Sequence, residues 1–369
     1  MLNKQDAVFM AHALRLAEQA LNLTHPNPRV GCVLARDGIL VGEGWHQRSG
    51  GGPHAEVYAL KQAGNAARGA TAYVTLEPCS HYGKTPPCAD ALIAAGVSRV
   101  VAAMQDPNPL VAGKGMRKLA QAGIETALGL LGAEAERLNR GYCRRMRSGR
   151  PWLFSKIAMS LDGRTALASG ESKWISSEAS RHDVQRLRAS CAAVLTGVDT
   201  VLADDPALTV RLPGLLERSR APDRVVLDTQ LRFPVDAQML KLPGRTLIYT
   251  GEQADMSRVR SLEAAGADVV PLPLSGSGRL DLAFVADELG RAGFNEVMIE
   301  AGATLNGALL QAGLIDEWVI YQAPCALGDS GRGIFSLPEL ARMSERPEFK
   351  FVDFRFVGPD IRLRLQPEK

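Results

Sequence analysis

One imidazole and two thiols stand in order along residues 54–88: His54, Cys79 and Cys88. Three such donors make a tetrahedral zinc site with its fourth position left to water. Glu56, two residues beyond His54, can face that water without being a ligand. Two thiolates formally cancel the metal charge, so the water is acidified less than at an all-imidazole site. A carboxylate at Glu56 then has a defined task, taking a proton from water and passing it to a departing amine. The alternatives are a purely structural zinc, which would normally have a fourth protein ligand, and three core residues that never meet a metal.

The flanking residues supply the elements that must carry this chemistry. Pro53 precedes His54, and Val57, Ala59, Leu60 and Ala63 follow at helical spacing, which predicts His54 and Glu56 in a first helical turn. Pro87 suits a first helical position, with Cys88 beside it and a helix running to Gly96. Thiols at a helix start ionise more readily, because unpaired N–H groups favour negative charge. Tyr73-Val74-Thr75-Leu76 reads as the strand that delivers Cys79. This order, His-x-Glu followed by Pro-Cys and a second Cys, resembles that of the zinc-dependent nucleobase deaminases, except that their two cysteines are separated by only two residues. Here the insertion 80–87 lies between them. Its His81 and Lys84 would hold an anionic group of a substrate, or the insertion is a solvated loop.

Around this stretch the chain reads as layered α/β structure. A first amphipathic helix is expected from residue 6 to about 21, then a Pro-rich loop, Thr24 to Gly31, and a hairpin turned at Asp37-Gly38. Asn27 and His46 flank the zinc stretch, as base contacts or as loop caps. A strand at 99–104 ends in the loop Gln105-Asp106-Pro107-Asn108-Pro109, where Asp106 and Asn108 are the candidate contacts. The basic run Arg140–Pro151 reads as a solvated face or linker. Beyond it, strands at 154–160, 193–197, 224–228, 246–250 and 296–300 alternate with helices, which predicts a second, mostly parallel sheet. Ser177 is the expected cap of one helix. The small-residue turn Ala301-Gly302-Ala303-Thr304-Leu305-Asn306-Gly307-Ala308 opens another. Its backbone N–H groups suit a phosphate, although tight strand–helix packing explains the glycines equally well. Two antiparallel strands are expected around Gly358-Pro359-Asp360.

Composition bounds the partners. With 369 residues, 46% hydrophobic and 22% charged, the chain suits two soluble domains. A net charge of +3 and 5% aromatic residues do not supply a nucleic-acid surface. The six cysteines do not form a disulfide pattern, and no run approaches a membrane span, so a reducing cytoplasm is the expected compartment.

Several ordered motifs together carry a family. They are His25-Pro26-Asn27-Pro28 with Val30-Gly31, His54-Ala55-Glu56, Thr75-Leu76-Glu77-Pro78-Cys79 with Cys88, and Asp106-Pro107-Asn108-Pro109. Farther on come Ser160-Leu161-Asp162-Gly163-Arg164, Ala203 to Arg211, and Glu300-Ala301-Gly302 with Leu305. Over essentially its whole length the chain resembles the bacterial bifunctional riboflavin-biosynthesis proteins, a pyrimidine deaminase fused to a reductase. The long spacing between the two cysteines is a feature of that family.

The resemblance implies a cytidine-deaminase-like three-layer α/β/α domain over 1–147 and a dihydrofolate-reductase-like α/β domain over 148–369. It implies one Zn2+ per chain, NADPH, a small phosphorylated pyrimidine substrate and a homo-oligomer, without nucleic acid or membrane. Reductase substrate contacts are implied at Ser172, Arg188, Leu208, Arg211 and Glu300, with Lys156 an additional candidate. Arg188 and Arg211 suit a grip on phosphate. Cofactor contacts are implied at Ala158, Trp174, Thr200, Asp204, Thr229 and the turn from Gly302 to Ala308. Rival readings are a nucleoside or tRNA-editing deaminase with a nucleotide-binding regulatory domain, and a structural zinc protein.

Overall fold

The computed structural model describes residues 2–50, 52–82 and 86–368. The chain divides into two compact units, Met1–Gly149 and Arg150–Lys369.

In the first unit, helix α1 (Lys4–Glu18) starts at a capping box in which Asn3 and Asp6 exchange side-chain and backbone hydrogen bonds. The strands are β1 (Gly31–Arg36), β2 (Ile39–Trp45), β3 (Thr71–Val74), β4 (Arg99–Ala102) and β5 (Glu125–Leu128). They lie in the order β2-β1-β3-β4-β5, with β1 antiparallel to β2 and β3 and the rest parallel. Asp37 and Gly38 both take positive φ, so the expected hairpin turn forms where a left-handed pair is required. The helices are α2 (Ala55–Ala63), α3 (Cys88–Ala95), α4 (Lys114–Gln121), α5 (Gly132–Leu138) and α6 (Arg140–Ser148).

Glycines set how closely α1 and α2 approach the sheet. A Cβ at Gly31 would lie 2.0 Å from the Ala13 carbonyl of α1. A Cβ at Gly42 would lie 2.3 Å from the Ala59 carbonyl of α2, and one at Gly44 would lie 2.7 Å from that of Ala55. Register places Gly31 on one face and Gly42 and Gly44 on the other, so α1 and α2 flank opposite faces in a three-layer arrangement.

The second unit contains β6 (Trp152–Met159), β7 (Arg164–Ala166), α7 (Glu178–Ser190), β8 (Ala193–Gly197), α8 (Val198–Asp204), β9 (Asp223–Leu227), β10 (Thr246–Gly251), α9 (Met256–Ala264) and β11 (Ala267–Leu272). It continues with α10 (Leu282–Arg291), β12 (Glu296–Ile299), α11 (Ala303–Gln311), β13 (Glu317–Gln322), β14 (Arg332–Gly333), β15 (Phe349–Val357) and β16 (Asp360–Pro367). Nine of these strands form one sheet, ordered β11-β10-β9-β8-β12-β6-β13-β16-β15. The first seven run parallel, and β16 and β15 close the sheet antiparallel around Gly358. Central strands such as β8 and β12 are buried almost end to end, which explains their unbroken apolar runs. Ser177 caps α7, accepting the Ser180 N–H.

One expectation is corrected. The basic run after residue 139 is not a solvated linker: Arg140–Ser148 is helix α6, with Gly141, Tyr142 and Cys143 buried. Arg140, Arg144 and Arg145 are half-buried and Arg147 is exposed, while Tyr142 and Cys143 belong to the core, so composition alone concealed the apolar face.

Candidate functional site

His54 is the N-cap of α2, Glu56 lies in its first turn, and Cys88 is the first residue of α3. Cys79 arrives from the loop after β3. The ligand atoms of His54, Cys79 and Cys88 all lie within 4.8 Å of one another. His54 Nδ1 is 3.2 Å from Cys88 Sγ and 3.7 Å from Cys79 Sγ, and the Cys88 N–H donates to Cys79 Sγ at 3.3 Å. Hydrogen bonding from the Cys88 thiol, with help from His54, pulls the Cys79 thiol well below the usual thiol range. That accords with a thiolate ligand. Glu56 is buried, its Oε2 has no hydrogen-bond partner, and burial pushes its carboxyl above the usual range. A buried carboxylate oxygen without a partner beside one imidazole and two thiols fits a metal and its water.

The Cys79 loop is held by Glu77, whose role the sequence did not reveal. Its carboxylate accepts the backbone N–H groups of Asp106, Gly113, Gly115 and Met116 at 2.9–3.3 Å. Buried among these donors, it fixes the start of α4 against the loop two residues before the ligand.

The expected base contacts separate into two kinds. Asn27 is exposed in the loop 24–30. His46 is buried, its ring 5.2 Å from that of His54, with Nε2 2.9 Å from the Arg48 carbonyl and Nδ1 3.4 Å from that of Pro28. Both of its nitrogens therefore face main chain. Asp106 is also turned inward, accepting from Tyr142 Oη at 3.0 Å and from the Asn108 N–H at 2.8 Å. Asn108 is half-buried, and its Oδ1 accepts the Leu110 N–H. His81 is exposed, and Lys84 lies outside the described residues.

In the second unit a cleft of roughly 1750 Å3 runs along the carboxyl ends of β8, β9 and β12. This is where open parallel sheets bind ligands. Ser172, Arg188, Leu208, Arg211, Glu300 and Lys156 all line it, as do Ala158, Trp174, Thr200, Asp204, Thr229, Gly302, Ala303, Thr304, Leu305 and Ala308. Asn306 and Gly307 do not. Asn306 is buried, accepting from Ser155 and donating to the Ala301 carbonyl, and a Cβ on Gly307 would lie 2.1 Å from the Ser336 carbonyl. They are packing positions of the turn.

Arg188 does not lie free for a phosphate. Its Nε and Nη2 donate to the two oxygens of Glu300 at 2.6 and 3.0 Å, and Nη1 donates to the Thr209 carbonyl at 3.0 Å. Lys156 Nζ stands 3.1 Å from the same carboxylate. Burial alone would raise Glu300, but Arg188 and Lys156 outweigh it and hold the carboxyl at about 2. Arg211 is exposed in the cleft wall, its backbone N–H fixed by Gln185 at 2.7 Å. Trp174 is 70% exposed, with the Arg181 guanidinium 4.5 Å above its ring.

A cytidine-deaminase-like domain with a His-Cys-Cys cluster, joined to a dihydrofolate-reductase-like domain with a long cleft, defines a two-site α/β enzyme. Comparison with known proteins agrees domain by domain. Residues 3–104 match the cytidine and deoxycytidylate deaminase zinc-binding region, and residues 151–363 match the RibD C-terminal domain. The riboflavin biosynthesis protein RibD of Escherichia coli K12 is 51% identical, over 98% of this chain and 99% of its own. A solved RibD structure from Acinetobacter baumannii is 46% identical, with a TM-score of 0.92 and 99% of each chain covered. A diaminohydroxyphosphoribosylaminopyrimidine deaminase/5-amino-6-(5-phosphoribosylamino)uracil reductase from Thermotoga maritima is 32% identical, with a TM-score of 0.86 and 98% of this chain covered. The chain belongs to the RibD family, the bifunctional deaminase-reductases of riboflavin biosynthesis.

Proposed function

We propose that this enzyme hydrolyses the 2-amino group from 2,5-diamino-6-(5-phosphoribosylamino)pyrimidin-4-one and then reduces the ribosyl group of the product to ribityl with NADPH. The observation that carries the first step is the buried Glu56 carboxylate, whose Oε2 lacks a partner beside His54, Cys79 and Cys88. Those three residues would hold one Zn2+, which when bound supplies Lewis acidity toward a water. Glu56 takes a proton from water, whose oxygen bonds to C2, and delivers it to the leaving nitrogen, so that the C2–N bond breaks and ammonia departs while the second water proton stays with the pyrimidine. Asn27 and Asn108 are the base contacts in this reading, and His81 and Lys84 would hold the phosphate.

For the second step the cleft must align a nicotinamide with the ribose C1 and exclude water. The open turn at Gly302–Thr304 suits a cofactor phosphate, and Arg211 suits the substrate phosphate. Lys156 stands ready at the edge of the Glu300 carboxylate. A bound NADPH would supply a hydride to C1 as the ring C–O bond opens and its oxygen takes a proton. The partner assigned beyond the small substrate is a second copy of the chain, and the working compartment a reducing cytoplasm, where ligand thiols stay free.

Ammonia release and NADPH absorbance, followed together, test this. Wild type releases ammonia and oxidises NADPH from the diaminopyrimidine. Glu56→Gln loses both by about 10²–10⁴-fold, yet still oxidises NADPH when given the deaminated intermediate. A variant that still releases ammonia at the wild-type rate overturns the role of Glu56.

A further inference from the structure

Helix α6 and the residue before it grip both loops that border the deaminase site. Asn139 is 3% exposed and reaches across 110 residues of sequence to Arg29. Its Oδ1 accepts the Arg29 N–H at 2.8 Å, and its Nδ2 donates to the Arg29 carbonyl at 2.9 Å. Arg145 Nη2 donates to the Pro26 carbonyl of the same loop at 3.2 Å. One turn after Asn139, the buried Tyr142 hydroxyl donates to Asp106 Oδ1, which also accepts the Asn108 N–H.

Each loop is in turn tied to the metal cluster. Loop 24–30 is joined by the Val30 carbonyl to the His46 N–H, and the His46 ring packs on that of His54. Loop 105–110 is joined by the Asp106 N–H to Glu77, two residues before Cys79. Asn27 and Asn108 therefore stand on loops whose outer sides are fixed by α6 and whose inner sides are fixed to ligand-bearing segments. A side-chain amide that satisfies both the N–H and the C=O of one residue sets that residue's orientation, not merely its distance.

We propose that Asn139 and Tyr142 are positioning residues of the deaminase, acting through the Arg29 backbone and Asp106 to hold Asn27 and Asn108 toward the pyrimidine. The proposal rests on the reading of those two asparagines as base contacts. Neither positioning residue touches substrate or metal. Their loss therefore loosens the bound base while leaving the ligands and the proton-moving carboxylate in place.

Tyr142→Phe, Asn139→Ala and Asn27→Ala are compared in the full-length enzyme by ammonia release, zinc content and NADPH oxidation of the deaminated intermediate. Tyr142→Phe keeps the ring that fills the core, so it remains informative if Asn139→Ala folds poorly. The expected result is a deaminase KM raised on the order of tenfold in Tyr142→Phe, the size one lost hydrogen bond commands, and at least as much in Asn139→Ala, which loses two. Turnover number, zinc content and NADPH oxidation stay near wild type. An unchanged KM in Tyr142→Phe, or a fall in zinc content in parallel with activity, overturns the proposal. If Asn27→Ala raises KM and the other two do not, the base contact survives and the clamp does not. If none of the three raises KM, the reading of Asn27 falls as well.

Discussion

Glu300 lies between Lys156 and Arg188, and two cations around one carboxylate leave the inner end of the cleft with one positive charge. A buried carboxylate is tolerated only with such partners, and here it costs the domain a dependence on acid. Its folded carboxyl sits at about 2, against an ordinary value of 4.5. A depressed carboxyl contributes stability that is fully present above the unfolded value. That stability is lost as pH falls from near 4.5 through about 2. The full contribution is on the order of 3 kcal/mol. Three of the four tryptophans, Trp152, Trp174 and Trp318, belong to this unit, so their fluorescence reports its unfolding. The urea midpoint of wild type should fall steeply between pH 5 and pH 3. Glu300→Gln should be weaker at pH 7, because Arg188 and Lys156 lose their charged partner, and its acid limb should be shallower, with Asp162, Asp255 and Asp287 still depressed in the same unit. Parallel acid limbs in the two proteins would show that some other group is being titrated.

The deaminase chemistry depends on elements packed closer than side chains allow. Gly115 donates its N–H to Glu77, and a Cβ there would lie 1.9 Å from the Pro78 carbonyl, the residue next to Cys79. Gly115→Ala must push that backbone and carry the ligand with it. A cost of about 1–3 kcal/mol in the stability of the first unit is expected, together with faster loss of zinc to a chelator. Gly52→Ala, where the nearest atom would be 3.6 Å away, should behave as wild type. Equal zinc loss from both variants would refute the argument. This is also where sequence reading reached its limit. His54, Glu56, Cys79 and Cys88 were legible because a metal needs particular atoms at short range, and the strand pattern was legible because burial imposes apolar runs. The tasks of Gly42, Gly44 and Gly115 were not, since a glycine reports nothing of what approaches it. Asp106 and His46 were recognised as polar residues near a site, and Arg188 through the family resemblance. Their satisfaction by Tyr142, by main-chain carbonyls and by Glu300 comes from segments far away in the chain, as does the burial of one side of α6.

At the scale of the molecule, the last strand of the large sheet is left without a neighbour among the described residues. Register with β16 sets Phe351, Phe354 and Phe356 opposite Leu365, Leu363 and Ile361, all on one face, and these three phenylalanines are 65%, 73% and 76% exposed. Asp353 and Arg355 fall on the other face, opposite Arg364 and Arg362. An open edge with an apolar stripe is a hazard in a free monomer and is normally covered. Its charges, paired within the chain as Asp353 with Arg355 and Arg362, would also suit a second copy as the cover. Antiparallel pairing of β15 about a two-fold axis at Phe354 sets Asp353 against the second copy's Arg355, and the converse, while the phenylalanine stripes meet in one continuous apolar face. A mixed-sign pair two residues apart matches itself only in that direction. Light scattering should therefore give twice the chain mass for wild type and a single chain mass for Phe354→Lys combined with Phe356→Lys. The reductase cleft lies at the carboxyl ends of β8, β9 and β12, away from this edge, so the dissociated variant should still oxidise NADPH. A wild-type protein of single chain mass, or a variant that keeps the doubled mass, would remove β15 as the contact.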